Sequence, residues 1–260
     1  MTQVRRFWPL LTGTHRYEKT LSTRGHGHGV IIEAPILVYL IETANGRILY
    51  DVGCDYNKIT NPGLRHQYYE NEAFPFGAPE MTEEQRLSNR LATLGLQPKD
   101  IDVVFIGHLH FDHGGGLCDM RHADIHVHRE ELRAARAQED DAYFQDDFHG
   151  DYHWHVQRQE YDVCPGVSAI ETPGHTAGHM SMLIELPKGA PILLAGDAAD
   201  LQENLEEEIA PGLCWHDRED LALASIRKLK DLAVLTGADI WPNHDMHFYH
   251  RCKRFPEFYP

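Results

Sequence analysis

The sequence contains no apolar run long enough to cross a membrane. Its longest uninterrupted apolar stretch is Ile36 to Ile41, whereas a helical span needs about 20 apolar residues. The segment Met1 to Leu10 also lacks the apolar stretch that is typical of a secretory signal peptide. We therefore expect no membrane association and a cytoplasmic protein.

Positive charge is scarce as well. Lys and Arg together number 24 against 40 Asp and Glu, which gives a formal net charge of −16 at pH 7, and no basic cluster is longer than Arg5-Arg6. Proteins that attract nucleic acid need a basic surface. We therefore expect no nucleic-acid partner, and the same charge disfavours a polyanionic substrate.

Cysteine is sparse and scattered, without a Cys-x-x-Cys pair that would indicate a zinc ribbon or a redox motif. The five cysteines are Cys54, Cys118, Cys164, Cys214 and Cys252. We interpret them as ordinary reduced thiols. Histidine, in contrast, is abundant, with 19 residues and no tract of the kind used for purification. This density of imidazole favours metal chemistry.

The first half of the chain predicts strands joined by tight turns. Ile36 to Thr43 and Arg47 to Val52 are rich in β-forming residues, and the Ala44-Asn45-Gly46 sequence between them is typical of a hairpin. A third buried strand is predicted from Ile101 to Ile106, directly before a cluster of histidines. The 42% hydrophobic content is sufficient for a core in a chain of 260 residues.

Helices are predicted between and after these strands. Thr82 and Gln85 form a capping-box pattern that begins a helix ending near Gly95, and Asp217 to Leu235 predicts a long amphipathic helix. Pro191 to Ala195 predicts another buried strand. Because hairpins are mixed with alternating strands and helices, we predict an α/β fold of sheet layers flanked by helices, in a single domain over residues 1–260.

The segment from Glu139 to Asp162 differs from the rest because it is acidic and rich in aromatic residues and histidine. Two interpretations remain open. It could be a solvated surface insertion, or a lid that shapes a substrate pocket, since long excursions in compact domains are often functional.

The strongest chemical signal is the run His108-Leu109-His110-Phe111-Asp112-His113. His108 and His110 leave a strand at alternate positions and can point the same way. Asp112 and His113 follow after a turn and can face a second centre. Three imidazoles and a carboxylate are costly to bury together unless a dication compensates them, so this run predicts a metal site.

Three further candidate ligands stand out by their position beside predicted strands or Gly/Pro turns, where active-site residues collect. They are His175 in Thr172-Pro173-Gly174-His175, Asp197 after the strand 191–195, and His244 in Trp241-Pro242-Asn243-His244. Two metals about 3.5–4 Å apart can hold a bridging hydroxide that attacks a carbonyl near neutral pH. We therefore predict a hydrolase with a dinuclear metal site.

The pattern of ligand candidates resembles the signature of the metallo-β-lactamase fold hydrolases, which is His-x-His-x-Asp-His followed by a distant His, a bridging Asp and a last His. Within that superfamily the chain is most similar to the N-acyl-homoserine lactonases. The matching segments are Leu37 to Thr43, Met81 to Glu84, Pro165 to Val167, Thr172 to His175, Gly178-His179, Leu221 to Ile226, His244-Asp245 and Phe255 to Glu257.

This resemblance implies an αβ/βα sandwich with two central mixed sheets flanked by helices. It assigns seven ligands to two divalent metal ions: His108, His110 and His175 to one, Asp112, His113 and His244 to the other, and Asp197 as the bridge. His179 would not be a ligand. Zinc is the expected ion for this donor set, with iron, cobalt and manganese as alternatives.

The resemblance also implies ring opening of N-acyl-homoserine lactones or related lactones, with Asp112 delivering a proton to the leaving alkoxide, and a homodimer is a further expectation. The family has a Tyr three residues after the bridging Asp, whereas this chain has Asp200. An ionised carboxylate cannot donate a hydrogen bond. Either the pocket recruits another donor, such as His216 or a Tyr of the segment 139–162, or the substrate differs from the family's usual one. Asp200 could take part in catalysis in place of that Tyr, or it could simply cap the following acidic segment.

Other functions on the same scaffold stay open. They include hydrolysis of a γ-butyrolactone, pyridoxolactone, thioester or phosphotriester. A catalytically silent metal-binding protein is a further alternative from a different class.

Overall fold

Two β-sheets form the centre of the protein in a computed structural model that describes residues 2–260. The first sheet contains β1 (Val4–Glu18), β2 (Ile31–Thr43), β3 (Arg47–Tyr50), β4 (Val103–Phe105), β5 (Asp124–His128) and β6 (His153–Gln157). The second contains β7 (Tyr161–Cys164), β8 (Val167–Glu171), β9 (Met180–Ile184), β10 (Ile192–Leu194) and β11 (Asp239–Trp241).

Both sheets mix parallel and antiparallel pairs. In the first sheet β1, β2 and β3 pair antiparallel, and β3 to β6 then pair parallel in chain order. In the second sheet, whose spatial order is β11-β10-β9-β8-β7, the β10–β11 pair is parallel and the others are antiparallel. The expected mixed sheets are thus confirmed.

Helices cover the outer faces of the sheets. They are α1 (Tyr56–Thr60), α2 (Pro62–Tyr69), α3 (Leu87–Thr93), α4 (Phe111–Gly114), α5 (Arg129–Ala137), α6 (Gln145–Phe148), α7 (Gln202–Glu207), α8 (Glu219–Thr236) and α9 (Met246–Tyr249). None of the helices within residues 2–260 combines the length and the apolar character that a bilayer crossing requires.

The period of two along β2 explains the layering. Tyr39 and Ile41 pack into a cluster that contains the inner residues of β8 to β11, whereas Val38 and Leu40 face the opposite cluster with Leu91 of α3. A third cluster joins the outer face of the second sheet to α8. The order helix, sheet, sheet, helix is therefore present, and the predicted αβ/βα sandwich is confirmed.

Local predictions differ mainly in their boundaries. The 44–46 hairpin is confirmed, with Glu42 paired to Arg47. The helix predicted from Thr82 is divided at Arg86, whose ψ of 132° is extended, into a 3₁₀ turn (Glu83–Gln85) and α3. Sequence periodicity did not show this break. The capping contact from Thr82 N to Gln85 Oε1 (2.9 Å) stabilises the first turn alone.

The segment 139–162 is integrated into the fold to different degrees along its length. Tyr143 and Phe148 are buried in the core, and His153–Gln157 supplies the last strand of the first sheet. Residues 139–142 line the large cavity described below. A lid function for this segment remains a prediction, as does a single domain over residues 1–260.

Candidate metal centre

Four loops bring the predicted ligands to one edge of the sheets. The chain leaves β4 into the run that begins at His108, and the loop between β8 and β9 carries His175. Asp197 follows β10 in a 3₁₀ turn, and His244 follows β11. All of these residues come from segments next to strand ends, the positions that the sequence context indicated, and Asp112 and His113 lie in the short helix α4.

The seven candidates form two groups of three with one carboxylate between them. Nitrogen atoms of His108, His110 and His175 lie within 4.8 Å of one another, and ligand atoms of Asp112, His113 and His244 do the same. The distance from Asp197 Oδ1 to His113 Nε2 is 3.3 Å. Asp197 Oδ2 lies 3.5 Å from His175 Nε2 and 3.3 Å from His244 Nε2. Asp197 therefore contacts both groups.

The donor atoms fit divalent cations. Both ring nitrogens of His108 and Nε2 of His113 are buried without a hydrogen-bond partner among residues 2–260. Such groups are costly to bury unless something else satisfies them. Burial lowers the pKa of His108 well below its ordinary value and that of His175 to about 4, so both imidazoles are neutral donors. Neutral imidazoles and carboxylates are the ligands that divalent transition metals prefer.

Two buried carboxylates hold the loops in place, and the first is Asp51. Its Oδ1 accepts a hydrogen bond from Gly107 N (2.8 Å), and its Oδ2 lies 2.8 Å from His113 Nδ1. Its backbone has a φ of 61°, which is uncommon for a residue with a side chain. The bond to Nδ1 leaves Nε2 of His113 to face the cluster.

The second buried carboxylate is Glu131 on α5, which is fully buried. Its Oε1 accepts hydrogen bonds from Leu109 N (2.9 Å) and the Tyr143 hydroxyl (3.0 Å). Its Oε2 accepts from the Thr176 hydroxyl (2.6 Å) and Gly178 N (3.2 Å). Glu131 therefore ties the loop of His108 and His110 to the loop of His175.

The remaining imidazoles are oriented by other partners. His110 Nε2 lies 3.0 Å from Asp140 Oδ2, which turns Nδ1 towards His175. His175 Nδ1 lies 3.1 Å from the carbonyl oxygen of Leu213, and His244 Nδ1 lies 2.9 Å from that of Pro35. In each case one nitrogen is held by the protein and the other faces the cluster.

His179 also lies beside the cluster, and it forms a further potential group of ligands with His108 and Asp197. Its Nδ1 lies 2.8 Å from the Thr172 hydroxyl, and its Nε2 accepts a hydrogen bond from Asp197 N (2.9 Å). Both nitrogens are engaged, so His179 orients the turn that carries Asp197.

A cavity of about 600 Å³ opens onto this cluster. Its apolar wall includes Leu21, Phe74, Phe76, Phe111, Leu213 and Trp215. Its floor includes Asp112, Asp197 and His244. An apolar cleft with a few convergent polar groups is the usual form of a small-molecule site.

Comparisons with known proteins agree with this geometry. The sequence profile of the metallo-beta-lactamase superfamily matches residues 31–244. An N-acyl homoserine lactonase from a Bacillus species is 36% identical over 231 residues, which cover 88% of this chain and 89% of that protein. The N-acyl homoserine lactonase AttM of Rhizobium johnstonii is 28% identical over 274 aligned positions and covers 100% of both chains.

A solved structure supports the same assignment. It is an N-acyl homoserine lactone hydrolase with the product N-hexanoyl-L-homoserine at its catalytic metal centre. It has a TM-score of 0.88 and 31% identity to this chain, and the match covers 99% of this chain and 100% of that one. This chain belongs to the metallo-β-lactamase superfamily and, within it, to the N-acyl homoserine lactonase family.

Asp200, where the resemblance implies a Tyr in this family, is buried beside the cluster. Its Oδ1 has no hydrogen-bond partner among residues 2–260, and a carboxylate oxygen of Asp200 lies within 4.8 Å of ligand atoms of Asp197 and His244. Burial, followed by the negative charge of Asp197, raises the pKa of Asp200 to about 8. These contacts bring Asp200 beside the candidate ligands, and its role remains a prediction.

The two expected alternative donors differ. His216 borders the cavity with an exposed side chain, and its φ of 49° lies in the left-handed region. Tyr143, the buried tyrosine at the start of the segment 139–162, donates its hydroxyl to Glu131 and does not line the cavity.

Sequence reasoning missed the residues that support the ligands. Asp51 lies near the end of the strand predicted from Arg47 to Val52, so the pattern of a polar residue at a strand end could have indicated it. Glu131 had no such signal, because it lies in the first turn of a helix, where acidic residues are ordinary.

Proposed function

We propose that this protein opens the ring of N-acyl homoserine lactones with two zinc ions. One observation carries the proposal: two groups of three potential metal ligands share the buried Asp197 at the floor of an apolar cavity. The relatives named above, which are N-acyl homoserine lactonases and a lactone hydrolase with bound product, support the same reaction.

The ligand assignment follows the two groups. His108, His110 and His175 would hold one ion, Asp112, His113 and His244 the other, and Asp197 would contact both. When bound, such a pair of cations activates a water for attack near neutral pH and polarises the carbonyl group under attack. Zinc suits both the group made of imidazoles alone and the group that combines imidazoles with a carboxylate.

The cavity walls suit a substrate with a polar ring and an apolar chain. The apolar side chains can cover an acyl chain, because burying apolar surface stabilises a complex by about 25 cal/mol per Å². The polar floor then receives the lactone ring. Phe111, which precedes Asp112 in the sequence, lines the cavity and packs against Phe74 and Phe144 in an aromatic cluster.

Asp112 is the proposed proton donor to the leaving alkoxide. Its Oδ1 lies 3.7 Å from His113 Nε2 and its Oδ2 lies 3.8 Å from His244 Nε2. Its side chain borders the cavity and keeps some solvent exposure, so it can exchange a proton. We assign Asp200 to the reaction too, because its unpartnered oxygen lies beside the same centre.

The direct test is a substrate panel with zinc-loaded protein. We expect acid release from N-hexanoyl-homoserine lactone, and none from metal-stripped protein. Cleavage of a thioester or phosphotriester without any lactone opening would show that the substrate assignment is wrong. Metal binding without turnover of any substrate would favour the silent metal-binding protein.

Three narrower assignments need their own measurements. Elemental analysis of protein purified without added metal tests zinc against iron, cobalt and manganese. γ-Butyrolactone and pyridoxolactone in the panel test how far the acyl chain matters. Light scattering after size-exclusion chromatography tests the proposed homodimer.

A further inference from the structure

Tyr17, which carries a phenol hydroxyl group, lines the proposed substrate cavity. Tyr17 and His15 occupy alternate positions of β1, so their side chains project from the same face of the strand, and both line the cavity. The Tyr17 and His15 rings are in edge contact, with centroids 5.4 Å apart. Tyr17 is 9% exposed, so its ring is held by packing and only a small part of it meets the cavity.

Ser22 holds this hydroxyl in place. The distance from Tyr17 Oη to Ser22 Oγ is 2.9 Å, and Ser22 is fully buried. The 3₁₀ turn Lys19–Leu21 brings the chain back so that Ser22 meets Tyr17. The carbonyl oxygen of Ser22 also accepts a hydrogen bond from Asn204 Nδ2 (2.8 Å), which fixes the turn against α7.

Asp200 lines the same cavity as Tyr17 and lies beside Asp197 and His244. The Ser22 hydroxyl can donate its single proton to Tyr17 Oη, which leaves the phenol proton free for a group in the cavity. Buried polar groups are costly, and a functional role would explain the position of Tyr17 next to the metal cluster.

The surroundings of Tyr17 keep its proton in place. Burial, followed by the negative charges of Asp200, Asp197 and Asp112, raises the pKa of Tyr17 well above its ordinary value. The phenol therefore remains a hydrogen-bond donor over the whole working range of pH, which an ionised carboxylate cannot do. Its proximity to these three carboxylates also places it at the reacting end of the cavity.

We propose that Tyr17 donates a hydrogen bond to the lactone carbonyl oxygen, and that Ser22 positions the phenol by donating to its oxygen atom. This inference rests on the proposed lactonase function and names a residue for it. The bond strengthens as negative charge develops on that oxygen, so it stabilises the transition state more than the bound substrate.

Tyr17→Phe tests the contact because it keeps the ring and removes only the hydroxyl group. We expect kcat for N-hexanoyl-homoserine lactone to fall by about 10²-fold while KM changes by less than about threefold. We also expect the ring-opened product, whose carboxylate retains an acceptor oxygen, to bind about tenfold more weakly by calorimetry. Metal content should be unchanged.

Ser22 variants test the positioning role. Ser22→Ala removes the partner of the phenol and should lower kcat by about tenfold, whereas Ser22→Thr keeps a hydroxyl and should recover most of that loss. A merely structural role would lower thermal stability in both variants without this difference in kcat. If Tyr17→Phe folds poorly or loses metal, the difference in kcat between the two Ser22 variants still tests the role of the phenol.

Tyr161→Phe is the matched control. Its hydroxyl lies 2.7 Å from His126 Nδ1, away from the cavity, so the variant loses a comparable hydrogen bond without any expected change in kcat. If Tyr17→Phe keeps kcat and product affinity within about twofold of the parent, as Tyr161→Phe should, the inference is overturned. A parent protein that opens no lactone would instead overturn the proposed function itself.

Discussion

The two halves of the metal centre are built from different donors and are supported in different ways. His108, His110 and His175 form a half made of imidazoles alone, and burial lowers the pKa of His108 and of His175. In the half with Asp112, burial lowers the pKa of His244, but the hydrogen bond to Asp197 and the charges of Asp197, Asp200 and Asp112 together outweigh burial and raise this pKa to about 10. The first half thus offers imidazoles alone, and the second offers a carboxylate as well.

The supports differ in the same way. Glu131 holds the first half indirectly, since its hydrogen bonds reach Leu109, Thr176 and Gly178 between and beside the ligands. Asp51 holds the second half directly, through the ring of His113. We infer that a change at Glu131 mainly affects the stability of the loops, whereas a change at Asp51 mainly affects metal affinity.

Asp197→Ala should have the largest effect, because Asp197 contacts both halves. Loss of several kcal/mol of transition-state stabilisation would reduce lactone turnover on the order of 10³-fold, with metal lost from both halves. Elemental analysis after dialysis and a pH-indicator assay measure the two effects. Asp162→Ala, at an exposed carboxylate that accepts from Ser168, is the control. Retention of two metals by Asp197→Ala would contradict the shared role.

Glu131→Gln should have the next largest effect and should act through stability. The amide nitrogen cannot accept a hydrogen bond, so one backbone N–H among Leu109 and Gly178 loses its buried acceptor. We expect the free energy of unfolding to fall by about 1–3 kcal/mol in urea titrations. Glu130→Gln, at the exposed neighbour on α5, is the matched control. Equal stability of the two variants would argue against the support by Glu131.

Asp51→Asn should weaken the second half selectively. The amide can still accept from Gly107 N but cannot accept from His113 Nδ1, so the imidazole loses its charged partner. Loss of such a partner typically costs about 10–100-fold in metal affinity. Competition with a chelator should show one weakened site and one unchanged site. If both sites weaken equally, the two halves are not supported separately.

Asp140→Asn should have the smallest effect. Asp140 is the corresponding partner of His110 in the first half, but its side chain is 43% exposed. Water can replace an exposed partner, so we expect less than about tenfold loss of metal affinity in the same chelator competition. A loss as large as that in Asp51→Asn would show that burial of the partner does not control the effect.

The structure brings the seven candidate ligands together, and the sequence could indicate them because each has a distinctive local context. His108 to His113 form one short run, and His175, Asp197 and His244 lie beside strands or Gly/Pro turns. The fold class followed from the same segments and from the hairpin at 44–46. These features depend on neighbours in the chain, which a single sequence displays.

The supports and the cavity walls could not be predicted in the same way. Glu131 contacts residues 12 to 47 positions away, and Tyr17 and Asp200 line one cavity although they are far apart in the chain. Leu213 lies 38 positions from His175, whose Nδ1 it meets. Nothing in their local sequence marks these residues, because their roles arise only when β1, α5 and the loop after α7 pack around the site.

A zinc titration of metal-stripped protein most directly tests whether two metal ions act together in lactone opening. Acid release measures the ring opening of N-hexanoyl-homoserine lactone at each step. Because both halves share Asp197 and face one cavity, we predict full activity only at two equivalents of zinc per chain. Activity that saturates at one equivalent, or zinc-saturated protein that opens no lactone, would contradict the account.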